Sequence, residues 1–537
     1  MTKRYLIPSL VLAGCLVQVA FAQQSGDSIQ QAAKLIEQSR LRAQIHFVAS
    51  RDMRGRNAGS HEGRIAADYI ASQFALLGLK PVGDDGSYFQ NFQIVRAKID
   101  PENTRMEATV GGATKTYLYG VDFNSGWMPQ HNTPFNVTAP VVFAGYGIDA
   151  PGYHYDDFKG VDVRGKIVLI LSREPQASDP KSVFKGTWDT IYSYNWYKIQ
   201  QIQKAGAIGI LEVTAPSRRP PRLQSGPPDY TLPGQLKYGG SLTTELWDLP
   251  GLAITPEVAN ELLKPSGKTI TELQNSIDQN FKTDSFEIPN LKVTIQTAYS
   301  QEEVLDCRNV AGLLEGSDPQ LKSQVVVLSG HYDHGGELAG RIYPGADDNA
   351  TATVAVIEIA HAFVRGNIHP RRSLLFIVFD AEERGLLGSS YYVDHPLIPL
   401  AETDAVLNMD MIGRDENTPT WQISRSQAMN SVNLVGTPYV PDLQRMIEAE
   451  NAETHLYLDY KTDRDDREGW FARSDHFPFA TKSVPAILFT TGEQADYHTE
   501  NDVWSTLDYP KYTRIVRLVF LTAAEISNTE RRVGFVP

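Results

Sequence analysis

The chain has 537 residues and a formal net charge of -14, with 64 acidic and 50 basic side chains. This length predicts two or three domains, and a hydrophobic fraction of 42% is typical of a soluble globular protein with a large core. The acidic balance argues against nucleic acid as a partner, because a phosphate backbone requires a basic surface.

The N-terminal segment has the features of an export signal. Two basic residues at positions 3 and 4 precede a mostly apolar run over 6–22, which is too short and too interrupted to span a membrane. The Ala-Phe-Ala sequence at 20–22 predicts a signal peptide over 1–22. The Leu-Ala-Gly-Cys sequence ending at Cys15 instead resembles a lipoprotein box, and predicts a signal over 1–14 with a lipid anchor on Cys15. We therefore expect an exported protein, periplasmic or extracellular, or an outer-membrane lipoprotein if Cys15 is lipidated.

Only two cysteines are present, Cys15 and Cys307, so Cys307 has no disulfide partner within the chain after either cleavage. An exported protein without a disulfide framework must be stabilised by its core. The same count excludes a zinc site built from several thiolates.

The hydrophobic pattern divides the remaining chain into three parts. Residues 23–130 begin with helical periodicity over 28–50 and 61–77, and are predicted to start the main domain. Residues 131–290 are rich in Pro, Gly, Tyr and short β-type runs, and are predicted to form a β-rich inserted domain. Residues 291–537 return to alternating strands and helices, and are predicted to complete the main domain.

Four short apolar runs in this last part have the composition of buried strands: Val325–Leu328, Leu374–Phe379, Ala405–Leu407 and Ala486–Phe489. Helical patterns lie between and after them, over 350–364 and 509–527. Strands that alternate with helices predict an α/β fold with a mixed, mainly parallel sheet and helices on both faces.

Histidine or carboxylate side chains follow these strands or precede the helix at 350. Five segments carry them: His331 with Asp333, Asp347 with Asp348, Glu382 with Glu383, Asp410, and His498. Ligands bind at the carboxyl ends of strands in open α/β sheets. Carboxylates gathered there repel one another unless a cation neutralises them. Histidine and carboxylate without cysteine suit zinc, cobalt or manganese, so the pattern predicts a metal cluster.

Each motif alone has an ordinary structural interpretation. Asp347 or Asp348 before a helix is typical of an N-cap, and Glu382 and Glu383 are typical of first-turn carboxylates favoured by the helix dipole. A metal site explains the presence of all five segments at one sheet edge better than five independent structural roles do.

The order and the amino-acid sequences of these motifs resemble those of the zinc metallopeptidases of family M28. This family includes bacterial aminopeptidases and glutamate carboxypeptidase. The match covers roughly 40–125 and 295–525, and residues 131–290 resemble the protease-associated (PA) domain that interrupts some members. It rests on Gly-His331-Tyr-Asp333, Gly345-Ala-Asp-Asp348-Asn-Ala, Asp380-Ala-Glu382-Glu383-Arg-Gly-Leu-Leu-Gly-Ser, Asn408-Met-Asp410, Ser474-Asp475-His476 and Tyr497-His498-Thr. The resemblance implies a zinc aminopeptidase-like fold and a metal-dependent exopeptidase that releases N-terminal amino acids from peptides.

The same resemblance implies a role for each site residue. Two zinc ions per chain are expected, with Asp348 bridging them, His331 and Asp410 on one ion, and Glu383 and His498 on the other. Glu382 is expected to be the general base, and Asp333 to orient the imidazole of His331, as metal-bound histidines require.

Several alternatives remain open from the sequence. A glutamate carboxypeptidase-like dipeptidase and a glutaminyl cyclase, which uses one metal, share the fold. A metal-containing binding protein without turnover is the alternative of another class. His334 and His476 are candidates for substrate contact, and Glu358 with His361 is predicted to be a surface pair. The sequence does not indicate an oligomeric state.

Overall fold

The computed structural model describes residues 26–536, apart from 125–135, 178, 180, 185–189, 194, 214–234, 240–248, 339, 417–423 and 465–469. The predicted export segment and Cys15 lie outside the described residues. Within them, no helix is both long enough and apolar enough to cross a membrane.

The larger of two main sheets has ten strands. Its spatial order is Gln235–Gly239, Phe89–Ile99, Tyr299–Leu314, Ser373–Phe379, Val325–His331, Thr403–Met409, Ala486–Thr490, Ser431–Val435 and Tyr457–Asp459, with Lys80–Pro81 paired to Tyr299–Leu314. The four strands from Ser373–Phe379 to Ala486–Thr490 are mutually parallel, and antiparallel strands adjoin them on both sides. The structure confirms the predicted α/β class with a mixed sheet.

Alternate residues of the central strands pack into two different cores. Val326 and Leu328 belong to one hydrophobic cluster, whereas Val325 and Val327 belong to another. This follows from the two-residue period of a strand, and a strand buried on both sides therefore has a continuous apolar sequence.

Helices cover both faces of this sheet. The helices that supply buried residues mainly to the first cluster are Gly26–Ala33, Gln38–Val48, His61–Leu77, Thr351–Arg365, Pro441–Thr454 and Tyr509–Asn528. Leu387–Asp394 supplies residues to the second cluster, and His476–Thr481 supplies residues to both. The periodicity predicted over 28–50 is divided between two helices, which both bury their apolar side chains in the first cluster.

The second sheet has eight strands, all from residues 105–296. Its order is Ala113–Leu118, Arg105–Val110, Phe286–Gln296, Asn136–Phe143, Ile167–Leu171, Gly209–Val213, Gly251–Ile254 and Phe123–Asn124. The helices Asn195–Lys204, Pro256–Leu263 and Ile270–Asn280 pack against it, and it has its own hydrophobic clusters. The chain enters this sheet after Phe89–Ile99 and returns along Tyr299–Leu314, which are antiparallel neighbours in the larger sheet.

The prediction that Glu358 and His361 form a surface pair is wrong for Glu358. Its side chain is fully buried and accepts hydrogen bonds from Arg40 Nε and Nη2, both at 2.8 Å, and from Gln44. A neighbouring helix that supplies these donors makes burial of the carboxylate possible.

Candidate metal centre

The site lies where the central parallel strands end. His331 is the last residue of its strand, and Asp410 directly follows Thr403–Met409. Glu382 and Glu383 open a short 3-10 turn, Glu382–Arg384, just after Ser373–Phe379. The predicted convergence of these segments on one edge of the sheet is observed, and it produces two groups of side chains.

The first group contains His331, Glu382 and Asp410. His331 Nε2 lies 3.5 Å from Asp410 Oδ1 and 3.6 Å from Glu382 Oε2. His331 Nδ1 is 3.1 Å from the backbone carbonyl of Asp333, to which it donates, so Nε2 is the ring nitrogen that faces the carboxylates. In this orientation Nε2 is the atom that can bind a metal ion.

The second group contains His334, Asp348, Glu383 and His498. His498 Nε2 lies 3.0 Å from Asp348 Oδ2 and 3.2 Å from Glu383 Oε2. The other oxygen of Asp348, Oδ1, is 3.4 Å from His331 Nε2. Asp348 therefore presents one oxygen to each group.

The electrostatics of the site are unbalanced without a cation. Burial, together with the nearby carboxylates of Asp410 and Glu383, holds the pKa of Glu382 well above its usual range. Burial lowers the pKa of His498, but hydrogen bonds to Asp348 and Glu383 outweigh it and raise that pKa to about 10. Four carboxylates are thus held close to three imidazoles in a largely buried cluster.

Two buried atoms at the centre of the first group have no hydrogen-bond partner: His331 Nε2 and Asp410 Oδ1. Buried polar atoms are nearly always paired, and these two face each other across 3.5 Å. A cation between them would satisfy both. The set of nitrogen and oxygen donors suits zinc or another divalent transition metal.

A chain of three side chains orients Asp410. Ser474 Oγ donates to Asp410 Oδ2 over 2.7 Å, and Asn408 Nδ2 donates to Ser474 Oγ over 2.8 Å. Ser329 Oγ in turn donates to Asn408 Oδ1 over 2.8 Å. Because Oδ2 is engaged, the free Oδ1 is the atom directed at His331.

Asp333 supports the turn that carries both glutamates. Its Oδ1 accepts from the backbone N–H of Glu382 at 3.0 Å, and its Oδ2 accepts from that of Glu383 at 3.3 Å. Its carboxylate is 3.6 Å from His331 Nδ1, farther than its own backbone carbonyl. Asp333 therefore contacts both the His331 ring and the Glu382–Glu383 turn, whereas the sequence suggested only the first.

The segment that carries Asp348 is fixed by a residue that the sequence did not reveal. Asp502 accepts hydrogen bonds from the backbone N–H groups of Asp347, at 3.0 Å, and Asp348, at 3.1 Å. The N-cap interpretation of the two aspartates is wrong, because Asn349 Oδ1 accepts from the Ala352 N–H at the start of the helix. Asp347 Oδ1 instead accepts from the Gly413 N–H.

Arg56 was also missed, and it joins two of the ligand-bearing segments. Its fully buried guanidinium donates to the carbonyls of Tyr332 and Gly345 at 2.8 and 2.9 Å, and to those of Pro344 and Val48 at 2.7 and 2.8 Å. Burial lowers its pKa to about 10. No pattern in the sequence around residues 54–56 indicates this role.

A cavity with about 350 Å³ of empty space opens over both groups. Beside the site carboxylates and His498, its lining includes Met411, Trp470, Arg473, Leu488 and Tyr497. The Arg473 guanidinium stacks 4.5 Å above the Trp470 ring and donates to Glu493 Oε1. His476, considered for substrate contact, is buried against Phe471 and is not a lining residue.

Comparison with known proteins places these residues in a family. Residues 309–523, which contain all five predicted metal ligands, match peptidase family M28. The matched segment is similar to an M28 peptidase domain. This assignment agrees with the family resemblance of the sequence motifs.

Curated relatives of the chain include proteins named as an aminopeptidase and as a glutamate carboxypeptidase homologue. "Aminopeptidase YwaD" of Bacillus subtilis is 29% identical over 185 residues, which are 33% of this chain and 36% of that protein. "Glutamate carboxypeptidase 2 homolog" of Caenorhabditis briggsae is 23% identical over 444 residues, which are 73% of this chain and 52% of that protein. The chain thus spans about a third to a half of the length of these relatives.

Among solved structures, "Aminopeptidase from Aneurinibacillus sp. strain AM-1" is similar over 95% of this chain and 98% of that chain. The identity is 18% and the TM-score is 0.45.

Proposed function

We propose that the protein is a metal-dependent exopeptidase that removes N-terminal amino acids from peptides. The observation that carries the proposal is the position of Asp348, whose two oxygens face the two separate ligand groups at the floor of one cavity. A single carboxylate placed in this way suits a pair of metal ions.

Two zinc ions per chain fit these residues. His331 and Asp410 would hold one ion, Glu383 and His498 the other, and Asp348 both. Bound zinc ions supply Lewis-acid chemistry, which polarises the scissile carbonyl and lowers the pKa of a water molecule. Asp333, Ser474 and Asp502 would keep the ligands in place through the contacts described above.

Glu382 is proposed as the general base. Its carboxylate lines the cavity beside His331 and carries no assigned ligand role. The oxygen of the attacking water forms a bond to the carbonyl carbon, while Glu382 accepts a proton from that water. Glu382 then delivers the proton to the nitrogen of the leaving amine as the C–N bond breaks.

The charge of the cavity suits a substrate with a free amino terminus. The carboxylate of Glu382 lines the cavity and is assigned to no metal ion, so it can attract an α-ammonium group; blocking that group removes its charge.

A glutamate carboxypeptidase-like dipeptidase is the second candidate. Arg473 lines the cavity and has its guanidinium directed to a carboxylate, that of Glu493. A substrate carboxylate would be recognised by the same guanidinium chemistry. The long match to a glutamate carboxypeptidase homologue also supports this candidate. The two ligand groups favour either peptidase over a one-metal cyclase.

The remaining parts of the proposal concern organisation and location. We propose that a PA-like insertion shapes access to the site and supplies no metal ligand. Its sheet includes strands within residues 105–124 as well as most of the predicted 131–290, and all five ligand residues lie outside it. We also propose export to the periplasm or the cell exterior, with a lipid anchor if cleavage occurs before Cys15.

A substrate panel tests the proposed activity. Metal-replete enzyme is offered aminoacyl p-nitroanilides, peptides with free and acetylated amino termini, and N-acetylated acidic dipeptides, with and without a chelator. We expect chelator-sensitive release from free amino termini only. Cleavage of the acetylated acidic dipeptides alone would establish the carboxypeptidase alternative, and metal binding without turnover would establish the binding protein.

A further inference from the structure

His334 lies inside the second ligand group but has no role in the proposed pair of metal sites. Its side chain is 1% exposed. Its Nδ1 lies 2.6 Å from Glu383 Oε1 and 3.8 Å from Asp348 Oδ2. Although it is a candidate for substrate contact, it is not among the residues that line the cavity.

We propose that His334 is a positioning residue for the metal ligand Glu383. Its Nδ1–H donates to Glu383 Oε1 and leaves Oε2 for the ion shared with His498. This inference deepens the proposed function and rests on its two metal sites.

The hydrogen bond decides between a positioning role and ligation. The contact of 2.6 Å between His334 Nδ1 and Glu383 Oε1 has the length of a direct hydrogen bond, in which the carboxylate accepts. Two ligands of one tetrahedral zinc ion lie about 3.3 Å apart, so these two atoms are too close together to share an ion. Glu383 Oε2, in contrast, is directed at His498 Nε2 over 3.2 Å. The two oxygens of Glu383 therefore have different partners and different tasks.

The surrounding backbone holds the ring of His334 in this position. A Cβ atom on Gly345 would lie 2.4 Å from His334 Cγ, and Gly345 has a φ of +59°. The N–H of His334 donates to the carbonyl of Arg56 at 3.3 Å. Only glycine at 345 leaves room for the ring, and the Arg56 backbone fixes the residue that carries it.

Glu383 is thereby held at two points. Asp333 Oδ2 accepts from its backbone N–H, and His334 Nδ1 donates to its carboxylate. With both contacts present, the carboxylate cannot rotate freely to offer both oxygens to one ion. Loss of the partner of a metal ligand lowers metal affinity by about 10–100-fold, so His334 should set the affinity of the second site.

Three substitutions separate the possible roles of His334. Asparagine places an amide nitrogen near the position of Nδ1, glutamine places one near that of Nε2, and leucine supplies no donor. His476→Leu is the matched control, because His476 is another buried histidine and lies outside both ligand groups. Metal-free protein is titrated with Co²⁺ in competition with a chelator, and the visible absorption of the loaded protein is recorded.

We expect His334→Leu and His334→Gln to weaken one of two cobalt sites by about 10–100-fold. At saturating cobalt they should still bind two ions and keep the wild-type absorption spectrum. His334→Asn should have an affinity within a few-fold of the wild type, as should His476→Leu. The asparagine and glutamine variants differ by only one methylene. Comparing their metal affinities therefore tests the inference even if His334→Leu does not fold.

Three results would overturn the inference. Wild-type affinity in His334→Gln and His334→Leu would show that the hydrogen bond has no effect. A changed cobalt spectrum, or only one ion bound at saturation, would identify His334 as a ligand. A wild-type protein that binds fewer than two ions would overturn the proposed function together with this inference, whereas the first two results leave that function intact.

Discussion

Replacing Arg56 tests whether its hydrogen bonds fix the ligand-bearing segments. Arg56→Met removes the donors to four backbone carbonyls while keeping an unbranched apolar side chain. A buried polar group left without a partner costs about 1–3 kcal/mol. The Gly345 carbonyl also accepts from the Ala350 N–H at 3.3 Å, so the other three carbonyls lose their donor. Even at the lower end of that range, three carbonyls predict a loss of about 3 kcal/mol, a large part of the total stability of a typical domain.

Arg56→Lys should have an intermediate effect. Lysine keeps the charge but offers its donors from a single atom, which cannot reach carbonyls as widely spread as those bonded by the planar guanidinium. We expect about half of the loss seen with methionine, and a lower metal affinity in both variants, because Tyr332 adjoins His331 and Gly345 shortly precedes Asp348.

The assay is the denaturant midpoint of the metal-free protein, followed by metal titration of each folded variant. Arg164→Met is the control, because its guanidinium is exposed and pairs only with exposed Asp162; its midpoint should equal that of the wild type. An Arg56→Met protein within about 1 kcal/mol of the wild type, with unchanged metal affinity, would refute the reasoning.

Three other predictions concern residues outside the metal centre. Cys307 is buried and burial raises the pKa of its thiol, so a thiol reagent should label it only after unfolding; rapid labelling of the native protein would contradict this. Gly145→Ala should lower the melting temperature and leave metal content unchanged, because Gly145 has a φ of +48° and a Cβ would lie 2.0 Å from Asp157 Oδ1. Burial raises the pKa of Glu174 to about 7, so its contribution to stability is present below about pH 4.5 and is lost as pH rises to about 7. Glu174→Gln, whose amide oxygen still accepts from Thr190, should remove up to about 3 kcal/mol of that pH dependence in denaturant midpoints, and an identical slope in both proteins would contradict the assignment.

The central strands were predictable because burial on both faces produces uninterrupted apolar runs. The observed strand at Val325–His331 extends beyond the predicted Val325–Leu328 to include three residues whose composition is not apolar. Their pairing with the neighbouring parallel strand continues to His331. The sequence thus located the end of the strand too early, although it identified the edge at which the ligands gather.

The antiparallel strands Phe89–Ile99 and Tyr299–Leu314 were not predicted. They are distant in sequence, and all strands of the second sheet lie between them in the chain. A pairing of this kind depends on tertiary structure, whereas periodicity reports only local burial. The sequence therefore predicted a parallel centre but not the antiparallel strands beside it.

The ligand candidates were predictable because metal chemistry restricts residue type and because they follow recognisable strands. Arg56, Asp502 and Ser474 act through contacts with residues far along the chain, and none has a local pattern that indicates its partner. Glu358 shows the same effect in the core: a carboxylate at a helical position suggested exposure, and Arg40 from another helix made burial possible.

The most direct test of the proposed function compares the adjacent residues Glu382 and Glu383 by metal analysis and kcat. Glu382→Gln retains size and hydrogen bonding but cannot accept a proton, so we expect two metal ions, little change in substrate affinity and a loss in kcat of at least about 10²–10⁴-fold. Glu383→Gln should weaken one metal site, and excess metal should restore part of the activity. If Glu382→Gln turns over normally, or loses a metal ion while Glu383→Gln retains both, the proposed roles are wrong.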